Sequence, residues 1–373
     1  MSKCDVAFFI VGATGVGKTR LGVELGERCS GEVVSADSMQ VYEGADVMTA
    51  KVSPGEQARV PHHLIDVVSP LRTNWHVGEY QRLALSAIAD IQTREKVPLV
   101  VGGTLYYVEA LLFNQDFPSF AALELPPDQR WNYLQVHDPA YAAITAPTNL
   151  RKIENAVKYI LATGLPYSER GRHVRLRFPR SAVVWLRCSP EVLETRVRER
   201  VSSMQSLGGL EEVQRFLNLS SSPDFSKGVL QSIGYKEFQA YLQGQCSLDQ
   251  ATEALVQATL KYARKQEKWV RTRLAPHMRV HELDTSDLAN WPSLVDTVAT
   301  LLHATMLTTA PDVHVERLTQ PVFECQKCEK RVVGAAQWRD HLRSKAHRKS
   351  HSRPVRPSVP APASFLFDQD SLP

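Results

Sequence analysis

One run constrains this chain more than any other. Gly12-Ala-Thr-Gly-Val-Gly-Lys18-Thr19 sits between an apolar stretch, Val6 to Val11, and a helical one, Thr19 to Cys29. A strand that turns through glycines into a helix curls successive backbone N–H groups around an anion. The helix N-terminus adds the positive end of its dipole. Lys18 adds a formal charge, and the Thr19 hydroxyl is an oxygen that can ligate Mg²⁺. The loop Gly12, Ala13, Thr14, Gly15, Val16, Gly17, Lys18 and Thr19 therefore reads as a polyphosphate cradle. The motif does not say which polyphosphate.

The surrounding pattern alternates strands and helices. Gly31 to Ser35, Val97 to Val101 and Ala182 to Leu186 are short apolar strands. His76 to Glu95 is a helix by the spacing of Leu83, Leu85, Ile88 and Ile91. Such alternation predicts a parallel α/β sheet covered on both faces. Between about Asp116 and Thr145 prolines break the pattern and aromatics accumulate, which predicts a helical insertion. A helix from Leu150 to Thr163 leads back to the main fold. A charged helix runs from Pro190 to Val201, and further helical segments run to about Leu274. The expected architecture is an α/β fold of the P-loop NTPase-like kind with a helical insertion and a small C-terminal C2H2 zinc finger. The boundaries are 1–115 for the first part of the core, 116–148 for the insertion and 149–307 for the continued core with its nucleic-acid-facing helices. A linker follows at 308–321, the finger at 322–349, and a Pro- and Ser-rich tail expected to be disordered at 350–373.

Composition sets limits on function. Hydrophobic residues at 43% and charged residues at 23% suit a chain that buries a core. A net charge of +4 is too small for a polycation, so any nucleic-acid site must come from local clustering. No apolar run approaches the roughly 20 residues needed to span a bilayer. Cys4, Cys29, Cys188 and Cys246 are scattered, which does not make a disulfide framework. The expected compartment is a reducing one, the cytoplasm, with nuclear and mitochondrial pools left open. The expected state is a monomer.

P-loop ATPases hold Mg²⁺ with an Asp at the end of an apolar strand. Here the strand from Val97 ends in Gly102-Gly103-Thr104 instead. The candidate acid follows the second strand, in Ser35-Ala-Asp37-Ser38-Met39-Gln40-Val-Tyr42. A single carboxylate in a polar loop facing a polyphosphate suits proton removal from an acceptor better than ATP hydrolysis. It is also the residue type that starts a turn or caps a helix.

Taken in order, these segments resemble the tRNA dimethylallyltransferases (tRNA isopentenyltransferases). The resemblance rests on Gly12 to Thr19, Ser35 to Tyr42, Val60 to Pro70 and Val100 to Leu112. It continues through Asn149 to Glu154, Glu199 to Met204, Gly208 to Glu212, Gln231 to Phe238 and Lys261 to Trp269. It covers about residues 5 to 275. It implies transfer of a dimethylallyl group from dimethylallyl diphosphate to N6 of the adenosine 3′ to the anticodon in tRNA. The cradle would hold the diphosphate, with Mg²⁺ as catalytic cofactor. Asp37 would take the proton from the amine. Ser38, Met39 and Gln40 would line the acceptor base with it. Thr104 would hydrogen-bond the diphosphate or the acceptor, and Arg200 would neutralise charge on the leaving group. An anticodon loop is single-stranded, so extruding its base is cheap.

Lys261, Arg264, Lys265 and Lys268, spaced by three and four, share one helix face and are candidates for tRNA phosphates. Tyr262 and Trp269 share another, buried face. Arg151 and Lys152 are further candidates, although Asn155 and Ala146 stand where the family carries an Arg and a His. Cys325-x2-Cys328-x12-His341-x5-His347 has the spacing of a tetrahedral zinc site, with Phe323, Trp338 and Leu342 as its small core. Nine Lys and Arg against three acids between Phe323 and Arg353 suit RNA. Two rival readings are a small-molecule kinase with an accessory finger and a non-enzymatic nucleic-acid-binding protein with a relict P-loop.

Overall fold

The computed structural model describes residues 6–114, 125–169, 173–219, 222–307, 314–316, 322–328, 330–333, 335–344 and 347. The tail and most of the 308–321 linker lie outside them, as do residues 115–124 of the expected insertion. The chain divides into two compact units, Met1–Phe117 with Val174–Val315 and Pro118–His173 with Glu316–Pro373.

The first unit is built on β1 (Val6–Gly12), α1 (Lys18–Cys29), β2 (Gly31–Ser35), α2 (Pro54–Arg59), β3 (His62–His63), α3 (Val77–Thr93), β4 (Val97–Gly102) and α4 (Leu105–Leu112). In the second unit, α5 (Arg130–His137), α6 (Pro139–Ala142) and α7 (Leu150–Thr163) follow. Past β5 (His173–Arg175), the first unit resumes with β6 (Arg180–Arg187), α8 (Pro190–Ser206), α9 (Gly209–Leu217), α10 (Tyr235–Leu242), α11 (Leu248–Trp269), β7 (Val280–Asp284) and α12 (Trp291–Leu307). β8 (His314–Glu316) and a finger of β9 (Val322–Cys325), β10 (Lys330–Val333) and α13 (Ala335–Arg343) close the chain.

The main sheet has six strands in the order β3-β2-β4-β1-β6-β7, every pair parallel. β1, β2 and β4 are buried along their whole length, which explains their unbroken apolar runs. Phe8 and Ile10 of β1 pack with Leu21 and Leu25 of α1 and Val295 and Val298 of α12. β4 lies on one side of β1 and β6 on the other, so the connections reverse direction there. The crevice at such a switch point, beyond the strands' carboxyl ends, is where open α/β sheets bind ligands. The β1–α1 loop opens into it.

Two backbone approaches fix the crevice floor. A Cβ on Gly102 would lie 2.1 Å from the carbonyl oxygen of Ala36, and one on Gly12 2.5 Å from that of Leu186. Glycine at the end of β4 thus lets the β2 loop cross directly over it. The Ala36 N–H donates to the Val101 carbonyl at 2.8 Å, and the Thr104 N–H to the Ala36 carbonyl at 3.0 Å.

In the second unit, Leu134 of α5, Tyr141 of α6 and Ile153, Val157 and Ile160 of α7 form one core. The sequence pattern alone puts the start of the resumed core at residue 149. The apolar face of α7 instead covers α5 and α6, because those two short helices need a longer partner to bury Leu134 and Tyr141.

Candidate catalytic site

The cradle is held open by its glycines. Gly15 and Gly17 have φ of 82° and 94°, in the region where a side chain is strained. Lys18 donates from Nζ to the Ala13 carbonyl at 2.7 Å, across the loop's own mouth. Burial pushes the Lys18 ammonium down to about 8. The Arg200 guanidinium adds to that push, and the Asp37 carboxylate opposes it. Burial also lowers Arg200, and Asp37 again opposes it. The charge of the Asp37 carboxylate thus reaches both cations, Lys18 and Arg200. Arg200 has no hydrogen-bond or ion-pair partner among the described residues. A desolvated guanidinium left in that state is poised for an external anion.

Asp37 follows β2 at its carboxyl end. Its Oδ1 accepts from the N–H groups of Met39 at 2.9 Å and Gln40 at 3.3 Å, which sets the turn. Its Oδ2 accepts from no described residue. The residue therefore fills the turn role and still presents an oxygen. Thr104 is 3% exposed. Its Oγ1 accepts from the Ser38 N–H at 2.9 Å and donates to the Ser38 hydroxyl at 3.2 Å. The hydroxyl expected to meet diphosphate or acceptor is engaged in holding the Asp37–Ser38 loop onto the end of β4. Gln40 donates from Nε2 to the carbonyls of Thr49 and Ala50 at 3.2 and 3.3 Å. Two carbonyl partners fix the amide's orientation, and its Oε1 is left without a donor among the described residues.

Gln266 lies within the Lys261 to Trp269 segment, where local spacing assigns it no task. It is 5% exposed and projects from α11. Its Oε1 accepts from the Thr14 N–H at 3.0 Å, and its Nε2 donates to the Gly103 carbonyl at 2.9 Å. One carboxamide ties the cradle to the loop that carries Thr104. A Cβ on Gly103 would meet that Nε2 at 2.3 Å. Gly102, the last residue of β4, is packed against the Ala36 backbone and has no room for the Asp of an ATPase, and a side chain at Gly103 would displace the Gln266 carboxamide. Burial pushes the Tyr262 hydroxyl up, and Thr104 and Gln266 oppose that. Trp269, 7% exposed, donates to Glu109 at 2.9 Å, but Tyr262 is only half-buried.

On the opposite face of α11, Lys261, Arg264, Lys265 and Lys268 are all exposed, while Leu260, Ala263 and Gln266 are buried. Arg151 and Lys152 lie in the first turn of α7, in the second unit. Met39 is half-buried and Thr19 exposed. The Thr19 hydroxyl has no partner among the described residues. A hydroxyl with no other partner fits a Mg²⁺ ligand, since that ion takes few oxygens from a protein and keeps most of its water.

In the finger, the ligand atoms of Cys325, Cys328, His341 and His347 all lie within 4.8 Å of one another. His347 Nδ1 is 3.3 Å from each sulfur and 3.2 Å from His341 Nε2. Two thiols and two imidazoles at these separations fit around one tetrahedral zinc ion. Phe323 stacks on Trp338 with centroids 5.2 Å apart. Leu342, expected in that core, is 40% exposed, because α13 turns it away from the hairpin.

Comparison places these residues in a known lineage. The family model described as IPP transferase matches residues 40–273. A mouse tRNA dimethylallyltransferase is 34% identical over 91% of this chain and 84% of its own length. One from Geobacillus kaustophilus is 35% identical over 78% of this chain and 94% of its own. Among solved structures, a eukaryotic dimethylallyltransferase acting on tRNA aligns with a TM-score of 0.77 at 27% identity, covering 93% of this chain and 96% of that one. The tRNA isopentenylpyrophosphate transferase of Bacillus halodurans aligns with a TM-score of 0.60 at 31% identity, covering 81% and 97%.

Lys18 makes the cradle titratable. Burial pushes its ammonium down from 10.5 to about 8, so the buried charge costs the anion-free fold stability increasingly from pH 10.5 down to about 8 and fully below that. The cost is relieved as pH rises or when an anion binds. Affinity for inorganic diphosphate should therefore fall about tenfold per pH unit above about 8, measured relative to a Lys18→Arg variant whose charge persists. Calorimetric titration from pH 7 to 10 checks this, and parallel profiles for the two proteins would contradict it. The parallel sheet, the cradle at its switch point and the run of matched segments make this chain a member of the tRNA dimethylallyltransferase family.

Proposed function

We propose that this chain transfers the dimethylallyl group of dimethylallyl diphosphate to N6 of the adenosine 3′ to the anticodon in tRNA. The observation that carries the reading is the charge balance of the crevice: Lys18 and Arg200 against Asp37, beside a Gly-rich cradle. The diphosphate lies in the loop from Gly12 to Thr19. The Thr19 hydroxyl would hold Mg²⁺ beside the diphosphate, and such an ion would supply positive charge at the leaving group. The N6 lone pair attacks the allylic carbon, the carbon–oxygen bond breaks, and its electron pair leaves with the diphosphate. Lys18 and Arg200 meet the charge that grows on the bridging oxygen. Asp37 accepts the N6 proton through Oδ2 as the carbon–nitrogen bond forms. Thr104, Ser38 and Gln266 hold that carboxylate in register with the cradle.

The exposed row Lys261, Arg264, Lys265 and Lys268 takes tRNA phosphates, and Arg151 and Lys152 extend the grip. The finger binds zinc and adds contacts to the RNA. No helix among the described residues is long and apolar enough to cross a membrane, which suits an enzyme acting on tRNA in an aqueous compartment.

An Asp37→Asn variant keeps the turn through its amide oxygen but cannot take a proton. Its turnover should fall by about 10²- to 10⁴-fold with donor and RNA affinity kept within a few-fold. Single-turnover prenylation with an anticodon stem-loop measures this, and near-normal turnover would remove Asp37 from the role.

The finger supplies a separate expectation. Zinc-free fingers do not fold, so Cys325→Ser should act like removal of everything from Pro321. Both proteins should bind the donor normally and tRNA more weakly. The slope of log affinity against log salt should be shallower by about 0.7 to 0.9 for each lost phosphate contact. Filter binding at several salt concentrations reads this, and an unchanged slope would assign the finger to another partner.

A further inference from the structure

Two of the segments that carry the family resemblance play no part in this scheme: Gly208 to Glu212 and Gln231 to Phe238. Both converge on residues 46–48, six residues beyond Gln40. Glu212, in the first turn of α9, is 3% exposed. Its Oε2 accepts from the N–H groups of Asp46 at 2.8 Å and Val47 at 2.7 Å. Its Oε1 accepts from the Met48 N–H at 3.0 Å and the Tyr235 hydroxyl at 3.1 Å. A buried carboxylate ordinarily needs a cation. This one has four neutral donors and the positive end of α9 instead. Three consecutive backbone N–H groups converge on it as they would on a bound anion.

The Met48 side chain is seated by glycines from the same two segments. A Cβ on Gly234 would lie 2.0 Å from Met48 Cε, and one on Gly209 3.0 Å from Met48 Sδ. Arg215, also on α9, donates to the Gly44 carbonyl at 2.7 Å. The loop runs on through Thr49 and Ala50, whose carbonyls hold the Gln40 amide. Ala50 has φ of 45°, a strained value for alanine that only a firmly held loop maintains.

We propose that Glu212, assisted by Tyr235, is a positioning residue for the acceptor adenosine: it docks residues 46–48 onto α9 and so fixes the carboxamide of Gln40 beside Asp37. The inference rests on the reading that the Asp37–Gln40 loop receives the base. Glu212 touches no substrate and acts through the loop. Its effect therefore falls on the acceptor side, whereas the cradle is held separately by Gln266.

Glu212→Gln tests this. A carboxamide replaces an acceptor-only group with one that carries two donors, so at least one of the four hydrogen bonds is lost to a donor facing a donor. The acceptor KM should rise roughly tenfold, while the affinity for dimethylallyl diphosphate stays within about twofold. Tyr235→Phe keeps the shape and removes one bond, so it should shift the acceptor KM roughly threefold in the same direction. Two results would overturn the proposal. One is a parent-like acceptor KM in both variants. The other is an equal loss of donor and acceptor affinity, which marks a general scaffold role. If Glu212→Gln does not fold, Tyr235→Phe decides alone. Asp37→Asn assayed alongside separates the two readings, because full turnover there defeats the site assignment whatever Glu212 does.

Discussion

The site depends on one backbone-to-backbone approach. The β2 loop crosses the end of β4 so closely that Gly102 has no space for a side chain beneath Ala36. That crossing places Asp37 over the sheet's switch point, where the Arg200 side chain and the cradle's Lys18 sense its charge. It also displaces the feature that would make a nucleotide hydrolase. No carboxylate can occupy the end of β4 when that position must be glycine, and a side chain on the next residue would displace the Gln266 carboxamide. A single constraint thus places the Asp37 carboxylate in one loop and keeps a side chain off the end of another. The small-molecule kinase reading loses its footing at the same place.

Around that crossing the molecule is tied by polar side chains that bind backbone rather than ligand. Gln266 joins the cradle to Gly103, Thr104 joins the end of β4 to Ser38, and Glu212 gathers three N–H groups of the following loop. Each is nearly fully buried, so an unsatisfied partner would cost on the order of 1–3 kcal/mol. Preorganisation of this kind lets charges meet a transition state without first rearranging. α11 unites the two sides of the reaction. Its inner face carries Gln266 and its outer face the four exposed cations proposed to meet tRNA.

Much of this was legible in the sequence, for definite reasons. The buried strands read as unbroken apolar runs, and the cradle carries its own signature of glycines and lysine. The zinc ligands carry theirs in their spacing. The edge strands β3 and β7 did not register, because His62–His63 and Val280–Asp284 are short and partly exposed and show neither pattern. The place of α7 was missed because its apolar face fits any neighbour, and only the packing shows that the neighbours are α5 and α6. The tasks of Thr104, Gln266 and Glu212 were out of reach. Each depends on a partner between 66 and 252 residues away, and no local spacing encodes that.

The central claim is that the crevice holds a prenyl diphosphate on one side and an adenosine amine on the other. The most direct measurement is mass spectrometry of nucleosides from unmodified tRNA incubated with the full chain, Mg²⁺ and dimethylallyl diphosphate. The account predicts one adenosine per acceptor tRNA, on the 3′ side of the anticodon, heavier by a dimethylallyl group less one hydrogen, with one diphosphate released per transfer. Unmodified tRNA under those conditions, together with consumption of ATP supplied in its place, would contradict it.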